Sequence, residues 1–326
     1  VIEQFAFSIV AGLIVGIFSG LLGIGGGTLM IPLFRLGFGL SAIVSTATSL
    51  FTIVPTSIAG CITHLKNKTC IAKIGLIAGV AGACTSPLGV LAATNSPDIA
   101  IMACAAIIIA YSAITMFRKA IKMPKRTDSD LSMRATLQRF RMEFADEAEE
   151  MPDGRQDSGE RTGQVQGAHV RETQAAPART TETAIAHEVQ KSVNTLEAPM
   201  TTKRLLTGAA IGLVAGFASG YVGVGGGFLM VPLFISLLGI TMKKASGTSL
   251  IAVVILAIPG VITQTLHGNV DFVAGIAMAI GSIPGALIGA SLIRYIPERK
   301  MRFLFGFFLL FAAIILVINE LNVFGA

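Results

Sequence analysis

GLIVGIFSGLLGIGGGTLMIPLF, Gly12 to Phe34, returns two hundred positions later as GLVAGFASGYVGVGGGFLMVPLF, Gly212 to Phe234. Fourteen of the 23 positions are identical, among them three consecutive glycines and the Leu-Met-x-Pro-Leu-Phe that follows. A match of this quality marks a duplicated unit, so whatever the glycines do is done twice. Both copies lie inside apolar runs too long for a soluble core. The pattern predicts an all-α polytopic membrane protein built from two related halves.

Composition agrees. The mean hydropathy is +0.73, with 53% apolar and only 13% charged residues, which excludes an ordinary globular domain. Between Arg126 and Thr202 there are 14 Asp/Glu and 9 Lys/Arg, whereas the rest of the chain holds 5 and 16. The basic excess therefore belongs to membrane-flanking loops, and nucleic-acid binding has no support. Glu3 stands where a signal peptide would carry a basic residue, so the first apolar run is expected to stay as a helix. Cys61, Cys70, Cys84 and Cys104 show no CxxC and no metal spacing, and they read as small buried hydrophobes. No cofactor and no metal site is expected.

Each half contains five apolar segments, at about 4 to 22, 28 to 40, 42 to 62, 72 to 93 and 98 to 117, and at about 205 to 222, 228 to 240, 246 to 265, 272 to 293 and 303 to 319. The second of each five is short: 13 helical residues cover only about 20 Å of a hydrocarbon core of about 30 Å. Beside Gly25-Gly26-Gly27 and Gly225-Gly226-Gly227, this shortfall predicts broken or re-entrant helices. The positive-inside rule arbitrates their topology. Arg118, Lys119, Lys122, Lys125, Lys203 and Arg204 place the central linker in the cytoplasm. If the short segments cross, Lys66, Lys68, Lys73, Lys243, Lys244, Arg294, Arg299, Lys300 and Arg302 all fall inside, and only Arg35 is misplaced. If they turn back, the six second-half cations lie outside.

Five crossings are an odd number, so the second half enters with opposite orientation. The expectation is two inverted-topology repeats, residues 1–120 and 203–326, in a multi-pass plasma-membrane protein with both termini outside. The duplication continues faintly: Thr48-Ser49-Leu50 answers Thr248-Ser249-Leu250, Pro55 answers Pro259, His64 answers His267, and Pro97-Asp98 answers Pro297-Glu298. Residues 121–202 form a polar linker with the composition of disorder. Met133, Leu137, Phe140 and Phe144 fall at helical spacing there, so one amphipathic helix is the alternative to a plain tether.

The glycine motif carries the chemistry. Glycine permits positive φ and close approach, so a loop can aim several N–H groups at one point, and the following helix adds the positive end of its dipole. An anion is the natural ligand. Pro32 and Pro232 sit one turn in, where a missing N–H costs little and the fixed φ supports a helix start. Simple helix packing is the alternative, and it is the preferred reading for the GxxxGxxxG ridges of Gly12, Gly16 and Gly20 and of Gly212, Gly216 and Gly220. Thr48, Ser49, Thr248 and Ser249 place hydroxyls on the third segment of each half, either toward a solute or back onto their own helix. Pro55 and Pro259 either free carbonyls near mid-membrane or only kink the helix. His64 and His267 are the membrane part's two histidines, candidates for gating or proton linkage as well as for structural bonding. The five acids outside the linker, Glu3, Asp98, Asp271, Glu298 and Glu320, all fall at segment ends, which disfavours a cation pump.

The doubled GxGGGxLxxPxL signature, Gly23 to Leu33 and Gly223 to Leu233, resembles that of the TauE/SafE family, also called the sulfite exporter or 4-toluenesulfonate uptake permease family. The likeness covers about residues 4 to 120 and 203 to 320. It implies a plasma-membrane secondary transporter of small sulfur-containing anions such as sulfite, sulfonates or sulfoacetate. The motif lands on Gly25, Gly26, Gly27 and Pro32, and on Gly225, Gly226, Gly227 and Pro232. The long linker departs from relatives, which usually have a short connection and about eight spans.

Moving one charge across 100 mV is worth about 2.3 kcal/mol, so an anion leaves a negative interior downhill. Export by alternating access is the favoured direction, with import coupled to H+ or Na+ as the alternative. A membrane scaffold or sensor acting through the linker is the rival from another class. An enzyme is disfavoured, because HExxH, GxSxG and paired mid-span acids are absent from the sequence. A homo-oligomer remains open.

Overall fold

The computed structural model describes residues 2–122 and 202–324, with side-chain environments over 5–122 and 202–318. All described residues belong to one compact unit. The helix expected around Met133 to Phe144 and nearly all of the 121–202 linker lie outside the described residues.

Among the described residues every regular element is an α-helix. The first half contains α1 (Ile2–Leu22), α2 (Gly27–Phe38), α3 (Ala42–Lys66), α4 (Ala72–Thr94) and α5 (Asp98–Lys122). The second contains α6 (Thr202–Val222), α7 (Gly227–Leu237), α8 (Met242–Leu266), α9 (Phe272–Leu292) and α10 (Glu298–Phe324). Eight of these are long and apolar enough to cross a membrane, and α2 and α7 are the short apolar pair. Large apolar side chains point outward, including Ile107, Tyr111 and Ile114 on α5 and Phe307, Phe311 and Ile314 on α10. That is the pattern of a surface facing lipid rather than water.

Helix starts are explained locally. Ser41 and Thr241 accept the N–H groups of Val44 and Lys244, and Asp271 accepts that of Ala274. The acids at segment ends do related work across elements: Asp98 accepts the Ala42 N–H at 3.2 Å, and Glu298 accepts the Met242 N–H at 3.0 Å. Each thus supplies a negative charge to the N-terminus of its half's third helix. The equivalence of Pro97-Asp98 and Pro297-Glu298 is therefore borne out.

The glycine ridges form the tightest seams. Gly12, Gly16 and Gly20 of α1 lie against Met278, Ser282 and Ala286 of α9, so closely that a Cβ on any of them would overlap backbone. Gly212, Gly216 and Gly220 of α6 lie in the same way against Ala78, Gly82 and Ser86 of α4. Both registers rise together, so each pair runs in parallel, as close-packed small-residue ridges allow. The two halves interleave, each half's first helix packing on the other's fourth.

Direction along the bundle follows from a few contacts. His64, near the end of α3, reaches the Gly20 carbonyl near the end of α1, so α1 and α3 run the same way. At the other end of α1, Phe7 lies 3.5 Å from where a Cβ on Gly37 of α2 would stand. The stretch from Gly23 to Ser41 therefore carries the chain back along the full length of the bundle, although its helix covers only about 18 Å. Helices α3 and α8 cross antiparallel: Leu50 packs by Gly260, and Leu250 by Gly60.

One expected correspondence shifts. Helices α3 and α8 are offset by a constant two hundred positions, so His64 is matched by Gln264, and His267 lies beyond the helix end. Thr69 binds His64 and Asn269 binds Gln264, both at 2.8 Å, which confirms the register. Likewise Pro55 and Pro259 are not equivalents, since their counterparts are Ile255 and Ala59. Isolated prolines and histidines drift between duplicated halves, whereas helix lengths set by the common frame do not.

Candidate functional site

The two glycine loops meet at the centre of the bundle. Gly25 and Gly26 have φ of 84° and 88°, and Gly225 and Gly226 have 83° and 71°. This left-handed region is open to glycine and costs other residues energy. The turn so made lets Gly26 cap α2, its carbonyl accepting the Leu29 and Met30 N–H groups at 3.2 Å. Gly226 caps α7 in the same way, at 3.1 and 2.9 Å. The loops then touch each other. A Cβ on Gly27 would stand 2.7 Å from the Val224 carbonyl oxygen, and one on Gly227 would stand 2.8 Å from that of Ile24. All six glycines are buried. Ile53 of α3 wedges between the loops, meeting Gly25, Gly27 and Gly225, and Val253 of α8 touches Gly25.

The other expected residues divide by position. Ser249 donates to the Gly23 carbonyl at 2.7 Å, so it touches the first loop. Ser49, its equivalent, is fully buried and its hydroxyl has no partner. Thr48 and Thr248 do something different: their hydroxyls accept the N–H groups of Asp271 and Ile71, at the starts of the other half's fourth helices. Pro32 and Pro232 are the sixth residues of their helices, further in than a first-turn position. Lacking an N–H, they leave the Thr28 and Phe228 carbonyls without the usual helical bond. Pro32 lines an apolar cavity of about 350 Å³ with Val10, Leu29 and Phe311. His64 is fully buried, with Nε2 2.9 Å from the Gly20 carbonyl oxygen and Nδ1 against Thr69. His267 is exposed and bonds only its own helix, at the Thr263 carbonyl. The structure thus brings together the six glycines and Ser249, and it sets the threonines, prolines and histidines apart from them.

Three hydroxyls the motif does not mark also stand at the first loop. Ser19 lies behind Gly26, Ser57 Oγ points at Gly25, and Thr28 is the second residue of α2. All three are fully buried, and none finds a hydrogen-bond partner. Ser19 recurs as Ser219 inside the duplicated stretch, a signal the sequence does carry. Ser57 has no such signal, because its role depends on how α3 packs. With no charged side chain among these neighbours, the site offers N–H groups, hydroxyls and a helix dipole, which suits a small anion. Among the described residues no three His, Cys, Asp or Glu converge as metal ligands.

The family model "Sulfite exporter TauE/SafE" matches residues 8–316. Among curated proteins, the chain is similar to "Probable membrane transporter protein YunE" of Bacillus subtilis (strain 168), 28% identical over 116 residues, covering 33% of this chain and 42% of that protein. It is also similar to "Probable membrane transporter protein YjnA" of the same organism, 30% identical over 119 residues, 36% of this chain and 46% of the relative. A "Probable membrane transporter protein" of Xylella fastidiosa (strain Temecula1 / ATCC 700964) is 32% identical over 108 residues, covering 33% and 41%. The chain thus spans less than half the length of the curated relatives it matches. No solved structure matches.

Proposed function

This chain belongs to the sulfite exporter TauE/SafE family, and from that membership we propose that it is a secondary transporter moving small sulfur-containing anions of the sulfite, sulfonate or sulfoacetate class across the plasma membrane. The observation that carries this reading is the meeting of two glycine loops, each capping a short helix, at a buried point without fixed charge. Two helix dipoles and freed N–H groups attract an anion there, and the lack of a cationic side chain lets it leave again. The two halves act as inverted repeats with the linker in the cytoplasm. The antiparallel crossing of α3 and α8 supports that arrangement. Parting the loops toward one face and then the other gives alternating access. Because the membrane potential drives an anion outward, export needs no coupling ion.

One observation favours coupled import as the second reading. The Thr28 and Phe228 carbonyls, freed by Pro32 and Pro232, are oxygen ligands of the type that Na+ takes in broken helices. The test is efflux of radiolabelled sulfite from proteoliposomes. Wild type is expected to carry it faster under an outward-driving potential, with Gly26→Val and Gly226→Val inactive though inserted. Wild-type rates in both variants would remove the loops from the pathway, and a dependence on Na+ or a proton gradient would favour import.

A further inference from the structure

We propose that the first glycine loop alone holds the anion, with the hydroxyls of Ser19, Thr28 and Ser57 as its side-chain ligands, and that the second loop closes over it as an apolar lid. This rests on the transport reading and narrows its site to one half.

Both loops turn through left-handed glycines but differ in lining. At the first, three fully buried hydroxyls without partners surround the start of α2. Ser57 Oγ stands 3.4 Å from where a Cβ on Gly25 would be, and Ser19 Cβ is equally far from one on Gly26. A buried hydroxyl left unpaired is unfavourable, so three at one helix start call for a ligand that completes them. At the second loop Phe228 replaces Thr28 and Ala257 replaces Ser57, both fully buried. Ser219 and Ser49 keep unpaired hydroxyls, and Ser219 Cβ lies 3.4 Å from where a Cβ on Gly226 would be, as Ser19 Cβ does at Gly26, so the side-chain difference between the loops lies in Thr28 and Ser57. The backbone differs as well: the Gly227 N–H is spent on the Gly225 carbonyl at 2.8 Å, and the first loop has no equivalent bond from Gly27.

The chemistry selects a class. An –SO3 group presents three oxygens on one sulfur, and three hydroxyl donors with the Gly27 and Thr28 N–H groups can serve them all. The donors are neutral, so the charge is met by the α2 dipole. Phe228, Ala257 and Val253 supply the apolar side against which the ligand's non-oxygen face or carbon stub lies. In the closed arrangement Gly27 abuts the Val224 carbonyl, so the anion enters when the loops part.

The experiment is calorimetric titration of the purified full chain with sulfite, methanesulfonate and sulfoacetate, for wild type, Thr28→Val, Thr28→Ser, Ser57→Ala and Ser219→Ala. Thr28→Val and Ser57→Ala are expected to weaken binding about tenfold or more, the loss of one hydroxyl bond to an anion. Thr28→Ser and Ser219→Ala are expected within about twofold of wild type. Without ligand, Thr28→Val and Ser57→Ala should melt no lower than wild type, because each removes a hydroxyl that has no protein partner. Wild-type affinity in either variant, or a lowered unliganded melting point, overturns the assignment. Loss of binding in Ser219→Ala alone moves the anion to the second loop and leaves the transport reading standing. If wild type binds none of the three anions, both readings fall together.

Discussion

The Ser249 hydroxyl donates to the Gly23 carbonyl across 2.7 Å, tying α8 to the first glycine loop, while Ser49, at the matching place on α3, has no partner. The loops are therefore latched unequally, although both turn through left-handed glycines. Ser249→Ala should cost about 1 kcal/mol, the net worth of one such bond. Ser49→Ala should be neutral or slightly stabilising. Thermal unfolding of the detergent-solubilised protein reads both, and equal losses would show that Ser49 too is engaged.

Position and backbone shape can be separated at two glycines. Gly39 has φ of 65° with nothing within 4 Å of where its Cβ would stand, whereas Gly27 is helical but faces the Val224 carbonyl at 2.7 Å. Gly39→Ala is expected to lose about 1–2 kcal/mol of stability through left-handed strain and to keep transport. Gly27→Ala is expected to hold the loops apart and to lower sulfite flux at least tenfold with little change in expression. Flux measured in proteoliposomes of matched protein content decides it.

Along the α1–α9 seam, Gly16 leaves no room before the Ser282 backbone, and Gly216 none before Gly82 on the α4–α6 seam. Gly16→Val and Gly216→Val should each destabilise by about 1–3 kcal/mol or more through overpacking. Size-exclusion profiles and melting curves should show both variants failing before any solute is added. A normal melt with impaired flux would instead assign these ridges to the solute pathway.

The buried histidine allows a sharper comparison. Because Gln264 occupies the matching place in the second half, His64→Gln should retain the fold and most of the flux. His64→Leu strands the Gly20 carbonyl and Thr69, and should cost about 1–3 kcal/mol. His267→Ala, at an exposed helix end, should stay within about 0.5 kcal/mol of wild type. Flux recorded across pH 5.5 to 8 (about the histidine range) checks the gating expectation: a pH dependence that disappears in His64→Gln would assign proton linkage to His64.

Much of this was legible in the residues. The repeat announced two equivalent halves, the GxxxGxxxG spacing announced close helix seams, and the triple glycines marked where α2 and α7 begin. What local patterns could not carry was partnership. Asp98 and Glu298 read as interfacial acids, yet each caps a helix 56 positions away. Thr48 and Thr248 read as hydroxyls turned either toward a solute or back onto their own helix; Thr248 does bond back, to the Lys244 carbonyl, and each also accepts an N–H of the other half. Ser19 and Ser219 were visible in the repeat but eclipsed by the glycines around them. Ser57 could be noticed only after α3 was packed against the loop. Matching histidines and prolines by residue type misplaces the register of α3 and α8, because single side chains change after duplication while helix geometry is retained.

Lys66 and Lys244 lie at one end of the bundle, since Gly247 of α8 packs against His64 and Thr69. His267 lies at the other end, beyond the Asp271 that binds Thr48. The most direct measurement is therefore single-cysteine labelling in intact cells, with a membrane-impermeant thiol reagent and the four native cysteines replaced. Cysteines at positions 66 and 244 should react only after the cytoplasmic face is exposed, and a cysteine at 267 should react from outside. Positions 66 and 244 labelled from opposite faces would contradict the opposed halves, and with them the paired-loop pathway.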